Sequence, residues 1–443
     1  MPVSSARAVA FDILLRVETQ SAYASELLHS VRLDELSPAD RGLATEIVMG
    51  VLRWQSRLDA AIAAESSRSV AKLDIEVLVA LRMAAYQLMF LSRVPAHAAI
   101  NESVELVKRA RKTSAAPFAN AVLRKIAAAG PVAMATDDGG TAAELANEFA
   151  HPAWLVERWA SHFGMERASA ICRHNQRIPA TCIRVENERV LRDLEEEGIT
   201  LAPGALLASA REVTGGDLTQ ARAFREGRVF IQDEVSQLVA ALVGKGSRIL
   251  DCCAAPGSKT AAIAARNPRA KIVAAELRAQ RAELLRRRVR AANVEVVTAD
   301  VLQLPQQQGF DRALADVPCS GTGTLARNPE IKWRLQPEDL RELHTKQAAI
   351  LRAAMRQLAP GGRAVYSTCS LEPEENEAVV EEVLRGFEQY LLLDCRDELD
   401  RLRDAGELIV EDVSQLVNGP YLRTLPGVQP CDGFFAAILE RAS

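Results

Sequence analysis

The sequence predicts a multidomain chain: an all-α N-terminal domain, a small α/β middle segment and a C-terminal α/β domain built on a parallel sheet. Three observations carry that reading. Over residues 6–127 apolar side chains recur at helical spacing with no strand-like alternation. From about residue 231, short apolar runs alternate with helical stretches, the pattern of a parallel sheet with helices on both faces. At 443 residues the chain is also too long for one ordinary core.

The first domain is expected over 1–130. Its periodicity is clearest in Ala8-Val9-Phe11-Asp12-Ile13-Leu14-Leu15-Val17 and in Ile75-Val77-Leu78-Val79-Leu81-Met83. Ser37-Pro38-Ala39-Asp40 reads as a cap followed by proline at the first helical position. Gly130-Pro131 and Asp137-Asp138-Gly139-Gly140 mark a linker. The middle segment, 142–230, holds a helix opened by His151-Pro152-Ala153-Trp154-Leu155 and a strand at Thr181-Cys182-Ile183-Arg184-Val185. A helix from Val190 to Glu197 is stopped by Gly198, and Ile199-Thr200-Leu201 reads as a second strand. In the third domain, 231–443, strands are expected at 247–252, 271–276, 294–298, 311–316, 363–367 and 434–439, and helices at 259–266, 278–291, 337–358 and 373–386.

Composition narrows the class of function. The chain is 48% hydrophobic and 25% charged, and no run of about 18 apolar residues suggests a membrane span. Met1 to Arg7 lacks an apolar signal core. Eight cysteines without a CxxC pair and six histidines without ligand spacing argue against a disulfide framework or a metal site. A reducing cytoplasm is the expected location. The net charge of −4 conceals two basic windows. One holds Lys108, Arg109, Arg111, Lys112, Arg124 and Lys125; the other holds Arg278, Arg281, Arg286, Arg287, Arg288 and Arg290. Each reads either as a solvated helix face or as phosphate contacts to a nucleic acid.

Ligands of a parallel α/β sheet bind at the carboxyl ends of its strands, and the unusual motifs of this chain fall there. Asp251 ends the first strand of the third domain, and Cys252-Cys253-Ala254-Ala255-Pro256-Gly257-Ser258-Lys259-Thr260 turns into a helix. Small residues let a ligand approach the backbone, and a helix N-terminus favours an anion such as a carboxylate. Acids recur at successive strand ends: Asp251, Glu276, Asp300 and Asp316. Glu276 is placed to take ribose hydroxyls and Asp300 to reach an adenine, although either acid could simply cap its strand. A nucleoside with an amino-acid tail, S-adenosylmethionine, suits this layout. The loop has neither GxGxxG nor GxxxxGK[ST], which argues against a dinucleotide or a nucleoside triphosphate.

Two cysteines follow the later strand ends, Cys319 in Asp316-Val317-Pro318-Cys319-Ser320-Gly321 and Cys369 in Ser367-Thr368-Cys369-Ser370. Carbon 5 of cytosine is a poor nucleophile. A thiolate adding at carbon 6 makes it enamine-like and able to accept a methyl group, after which elimination expels the thiol. Lys259 and a cationic sulfonium nearby would raise the thiolate fraction. Pro-Cys after the strand suggests carbon methylation, where Asn-Pro-Pro-Tyr would have suggested amino methylation. Cys172, Cys182, Cys252, Cys395 and Cys431 read as packing residues.

These motifs resemble the RNA (cytosine-5) methyltransferases of the Nol1/Nop2/Sun family. Gly321 to Trp333, Ile231-Gln232-Asp233-Glu234-Val235-Ser236 and Asp432-Gly433-Phe434-Phe435 are similar to its bacterial small-subunit ribosomal RNA group. His97 to Val104 and Phe118 to Arg124 resemble an antiterminator NusB-type RNA-binding domain. The resemblance implies a Rossmann-like, S-adenosylmethionine-dependent catalytic domain with Cys369 as nucleophile, Cys319 assisting release, and Asp316 holding the cytosine near the methyl donor; Lys259 is counted with these catalytic residues. It implies cofactor contacts from Cys253, Ala254, Ala255, Pro256, Gly257, Ser258, Lys259, Glu276, Asp300 and Asp316, to which Arg281 is added. Ser258 and Glu276 depart from the usual Gly and Asp. The expected substrate is 16S ribosomal RNA, naked or in an early small-subunit precursor, with no obligate protein partner. Rival readings are a transfer RNA or DNA methyltransferase, or a non-catalytic RNA-binding factor of the antitermination type.

Overall fold

The computed structural model describes residues 3–20, 22–28, 36–66, 68–130, 140–305 and 309–443. It forms two compact units. One comprises Met1–Ile178 together with Leu325–Arg334; the other comprises Pro179–Thr324 and Leu335–Ser443.

The first unit is helical, as the apolar spacing predicts. The helices Ser5–Gln20, Pro38–Glu65, Ile75–Phe90, Ala96–Arg109 and Ala116–Ala129 bury Leu14, Ile47, Leu52, Leu58, Ile62, Leu81 and Met83 in one core. Ser37 caps the second of these by accepting from the Asp40 amide, with Pro38 in the first turn. Arg7 and Glu102 form a buried pair at 2.8 Å. The helices Ala142–Glu148, Ala153–Phe163 and Met165–Asn175 belong here too, whereas the sequence placed 142 at the start of the middle α/β segment. An amphipathic helix carries no mark of which core it joins. The expected linker residues Pro131 and Asp137 to Gly139 lie outside the described residues.

Leu325–Arg334 departs from the expected continuous domain 231–443. It packs in the helical unit, where Lys332 Nζ donates to the Arg53 carbonyl at 2.9 Å and Trp333 Nε1 to that of Leu52 at 2.6 Å. Arg334 donates to the Val17 carbonyl at 2.6 Å.

The second unit begins with a small antiparallel sheet of β1 (Thr181–Arg184), β2 (Thr200–Pro203), β3 (Ala210–Gly215) and β4 (Phe230–Ile231), in the order β2-β3-β1-β4. The helix Glu188–Glu196 packs on it and ends before Gly198 at φ +80. Glu234 opens the helix Glu234–Leu242 and fastens it to this sheet, its carboxylate accepting from the amides of Ala205, Leu206 and Leu207 between β2 and β3.

The large sheet contains β5 (Arg248–Asp251), β6 (Lys271–Glu276), β7 (Val294–Thr298), β8 (Phe310–Asp316), β9 (Leu358–Thr368), β10 (Tyr390–Leu393), β11 (Val417–Asn418), β12 (Tyr421–Thr424) and β13 (Phe434–Arg441). Its order is β11-β12-β13-β9-β8-β5-β6-β7, with β10 also on β13. The strands β5 to β9 pair in parallel, as expected. The sheet as a whole is nevertheless mixed: β13 runs antiparallel to β9, and β10 and β12 antiparallel to β13. A parallel strand is reached only through a crossover, whereas an edge can be extended antiparallel by short turns, and periodicity does not distinguish the two. The expected helix 373–386 is a 3₁₀ turn at Pro373–Glu375 followed by Glu377–Leu384.

Candidate active site

Strand order reverses beside β5: β6 and β7 continue on one side, β8 and β9 on the other. The crevice at the carboxyl ends of β5 and β8 is therefore the topological switch point of the sheet. Asp251 and Asp316 end those two strands.

After β5 the chain turns through Cys252 to Gly257 into the helix Ser258–Arg266. Gly257 sits at φ +110, a conformation closed to most side chains, and a Cβ there would stand 2.7 Å from Val289 Cγ2 and 2.8 Å from Leu285 Cδ1. Glycine is thus required both by the backbone and by the packing beneath it. Asp251, Cys253, Ala254, Ala255, Pro256, Gly257, Ser258, Lys259 and Asp316 line one small cleft.

The electrostatics of the cleft are those of buried charge. Asp251 Oδ2 accepts from Thr260 Oγ1 at 2.7 Å, while Oδ1 is buried with no hydrogen-bond partner among the described residues. Burial pushes the Asp251 carboxyl up to about 7; the Thr260 bond opposes this, and the nearby Asp316 charge adds to it. Lys259 Nζ pairs with Asp316 Oδ2 at 2.9 Å and stands 5.2 Å from the centre of the Phe434 ring. Burial pulls the Lys259 ammonium down, but the adjacent Asp316 carboxylate and the Cys369 sulfur outweigh it, so its affinity for the proton is raised. Asp316 Oδ1 accepts from Ser367 Oγ at 2.8 Å, which fixes the carboxylate between β8 and β9.

Val317 and Pro318 then carry the chain to Cys319, while Cys369 directly follows the end of β9. The two sulfurs lie 3.3 Å apart. The Cys319 thiol is held well above its ordinary value, first by its hydrogen bond with Cys369 and then by burial. Cys253, Cys319 and Cys369 are part-exposed, whereas Cys172, Cys182, Cys252, Cys395 and Cys431 are buried.

Glu276 Oε1 accepts from the Arg278 amide at 2.9 Å, and Oε2 lies 3.9 Å from Arg281. Arg281 donates to the Ala255 carbonyl at 3.0 Å and so braces the loop. Asp300 follows the end of β7, and its carboxylate accepts from the Leu302 amide at 3.0 Å, as a cap does. Of the basic stretches, Lys108 pairs with Glu105, Lys112 with Asp74, and Arg286 and Arg287 with Glu283, all near solvent. Such pairs contribute little to stability.

Sequence reasoning missed the polar clasp behind the thiols. Glu375 is fully buried, and its Oε1 accepts from the Ser320 amide and from Gln347 Nε2, each at 2.8 Å. Its Oε2 accepts from the hydroxyls of Ser320 and Ser370. Asn376 Nδ2 donates to the Ser370 carbonyl at 3.0 Å, and the Gly323 amide to the Cys369 carbonyl at 2.9 Å. Glu375 stands among Glu374 and Glu377, a run that reads as a solvated helix start, so the sequence carries no signal of its burial.

A family model described as 16S rRNA methyltransferase RsmB/F matches residues 241–440. The NusB family matches residues 4–128, and an RsmF/B-like ferredoxin-like domain matches 151–214, across the boundary between the two units. A probable ribosomal RNA small subunit methyltransferase B of Bacillus subtilis is 32% identical over the full length of both chains. The ribosomal RNA small subunit methyltransferase B of Vibrio cholerae is 32% identical over 99% of this chain and 98% of its own.

The chain belongs to the RsmB/F methyltransferase family.

Among solved structures, PH0851 shares the fold over 99% of this chain and 98% of its own, with a TM-score of 0.80 at 23% identity. A methyltransferase homologue from Pyrococcus horikoshii is 26% identical, covers 68% of this chain and 98% of its own, and has a TM-score of 0.55. As an RsmB/F member the chain is an S-adenosylmethionine-dependent RNA (cytosine-5) methyltransferase with a NusB-like domain, a ferredoxin-like domain and a Rossmann-like catalytic domain. Its cleft fits that cofactor. The Asp251 oxygen that has no hydrogen-bond partner among the described residues offers an acceptor to an ammonium group, and Cys253 to Lys259 line the same cleft. Among the described residues no cluster of acids, histidines and cysteines is placed to hold a metal, and no helix is long and apolar enough to cross a membrane.

Proposed function

We propose that this protein methylates carbon 5 of a cytosine in 16S ribosomal RNA, in naked RNA or an early small-subunit precursor, through a covalent bond to Cys369. The observation that carries the reading is the sulfur–sulfur distance of 3.3 Å between Cys319 and Cys369, beside the Lys259–Asp316 pair.

The residues that would hold S-adenosylmethionine are Cys253 to Lys259, Glu276, Arg281, Asp300 and Asp316. When bound, it supplies an electrophilic methyl group on a sulfonium to carbon 5. The rest falls to the chain. Cys369, ionised beside the Lys259 ammonium, adds its sulfur to carbon 6 of the cytosine, while Asp316 holds the polar edge of the base. With the methyl group on carbon 5, the carbon 5 proton passes to water and the carbon 6–sulfur bond breaks, returning Cys369 as a thiolate. Cys319 assists that step as a hydrogen-bond donor to the departing sulfur. The base must leave its stack to reach Cys369, at a cost of roughly a few kcal/mol unless it already lies in a loop. That favours an unassembled or weakly structured RNA region.

Bisulfite sequencing of RNA from cells lacking the protein, complemented with the intact chain or with Cys369→Ala, tests this. One cytosine of 16S RNA should lose its methyl mark without the protein and regain it only with the intact chain. Restoration by Cys369→Ala would overturn the assignment.

A further inference from the structure

Which of two adjacent thiols ionises is not decided by their own contact, since either sulfur can donate to the other across 3.3 Å. Something outside the pair must break the symmetry. The groups facing it are Lys259 on the Cys369 side, and Glu375 and Tyr366 on the Cys319 side. Among the described residues Glu375 has no ion-pair partner, as Asp251 and Asp300 have none. Its oxygens instead receive four donors, from the Ser320 amide and hydroxyl, the Ser370 hydroxyl and Gln347. Four acceptor positions is what an ionised carboxylate offers.

Those donors lie on both thiol loops. Ser320 follows Cys319 and Ser370 follows Cys369. Gln347 also donates to the Pro318 carbonyl at 3.0 Å, so the residues on either side of Cys319 are both tied to Glu375. The Tyr366 hydroxyl donates to the Glu375 carbonyl at 2.6 Å and fixes the backbone of the same turn.

We propose that Glu375 is a positioning residue for the thiol pair: its buried carboxylate fastens the Cys319 loop to the Cys369 loop, and its charge keeps the proton on Cys319 so that Cys369 is the thiol that ionises. This rests on the assignment of Cys369 as nucleophile and gives that assignment a physical cause. A buried anion beside a thiol opposes its ionisation, and the Glu375 charge is among the influences that raise Cys319, after the Cys369 bond and burial. Lys259 lies on the other side of the pair, where its ammonium interacts with the Cys369 sulfur.

The test reads thiol ionisation directly, in the full-length protein without RNA or cofactor. Iodoacetamide labelling is followed against pH by peptide mass spectrometry. Cys369 alone, in Cys319→Ala, should label with a midpoint at least about one pH unit below that of Cys319 alone, in Cys369→Ala; one unit is a tenfold difference in proton affinity. The reverse order overturns the proposal and does not require a Glu375 variant to fold. Adding Glu375→Gln to Cys369→Ala should lower the Cys319 midpoint, and Glu375→Asp should keep it high. Superimposable Glu375→Gln and parent profiles, at equal melting temperature, also overturn it. In otherwise intact enzyme, Glu375→Gln should lower kcat by about tenfold or more while KM for RNA stays within about twofold. Because labelling involves no methyl transfer, a failure here leaves the proposed reaction standing, whereas methylation by Cys369→Ala would remove the reaction itself.

Discussion

The sulfur atoms of Cys319 and Cys369 face one another at 3.3 Å, each held just beyond the carboxyl end of one of two neighbouring parallel strands, β8 and β9. The pairing of Asp316 with Ser367 in that register brings the two loops side by side. A thiol pair so placed can share one proton, and its members should fail differently when removed.

Cys369→Ala should abolish methylation, because no sulfur then adds to carbon 6. Cys319→Ala should instead accumulate a covalent protein–RNA adduct, because the departing thiolate loses its donor. Denaturing gel electrophoresis after incubation with cofactor and RNA separates the two outcomes. An adduct trapped by Cys369→Ala, and none by Cys319→Ala, would reverse the assigned roles.

Gly257→Ala should cost about 2 kcal/mol or more in stability, since it combines strained backbone with a Cβ forced against Val289 and Leu285. Lifting the loop to relieve that contact should also weaken S-adenosylmethionine binding. Thermal unfolding and titration calorimetry read the two effects, and an unchanged cofactor affinity would show that the loop backbone does not approach the ligand.

Gly323→Ala should be worse tolerated than an ordinary surface change. A Cβ there would stand 2.1 Å from the Gly433 carbonyl oxygen, in a place where the Gly433 amide also donates to the Gly323 carbonyl at 2.8 Å. The neighbouring Gly323 amide supports the Cys369 carbonyl, so activity should fall along with melting temperature. Retention of full activity would show that this backbone pair does not position Cys369.

Asp251 predicts a pH signature in the cofactor-free protein. Its carboxyl, ordinarily near 3.8, is pushed up to about 7, chiefly by burial. Between those values the folded chain holds a proton that the unfolded chain has lost, so this group's contribution to stability falls as pH rises from about 4 to 7. Asp251→Asn removes the titration. Relative to the intact chain, the variant should therefore melt higher at pH 8 than at pH 5, and melting temperatures that run parallel across that range would count against the burial of this charge.

Much of the site is legible in the amino-acid order because strand ends are legible. Apolar runs stop at Asp251, Glu276 and Asp316, and the polar residues just beyond them belong to the crevice where an α/β sheet binds ligands. The cysteines set aside as packing are the buried ones, and those assigned to the site are part-exposed. Glu375 is not legible in this way, because its neighbours are acidic and only its burial distinguishes it. The antiparallel edge of the sheet is hidden for a related reason: β10, β11 and β12 are two to four residues long, too short for alternation to show a partner.

The properties that the sequence alone determined are local in the chain. These are helical against strand periodicity, the cap at Ser37, the small-residue turn through Gly257, and the chemistry of an acid, a lysine and two cysteines at strand ends. The tertiary structure decided what depends on distant segments meeting: the mixed direction of the sheet, the place of Leu325–Arg334 in the helical unit, and the Glu375 clasp that joins residues 318–320 to 370. The physical reason is that backbone preference and hydrophobic period act over a few residues, whereas burial and pairing are fixed only when the folded chain excludes water between them.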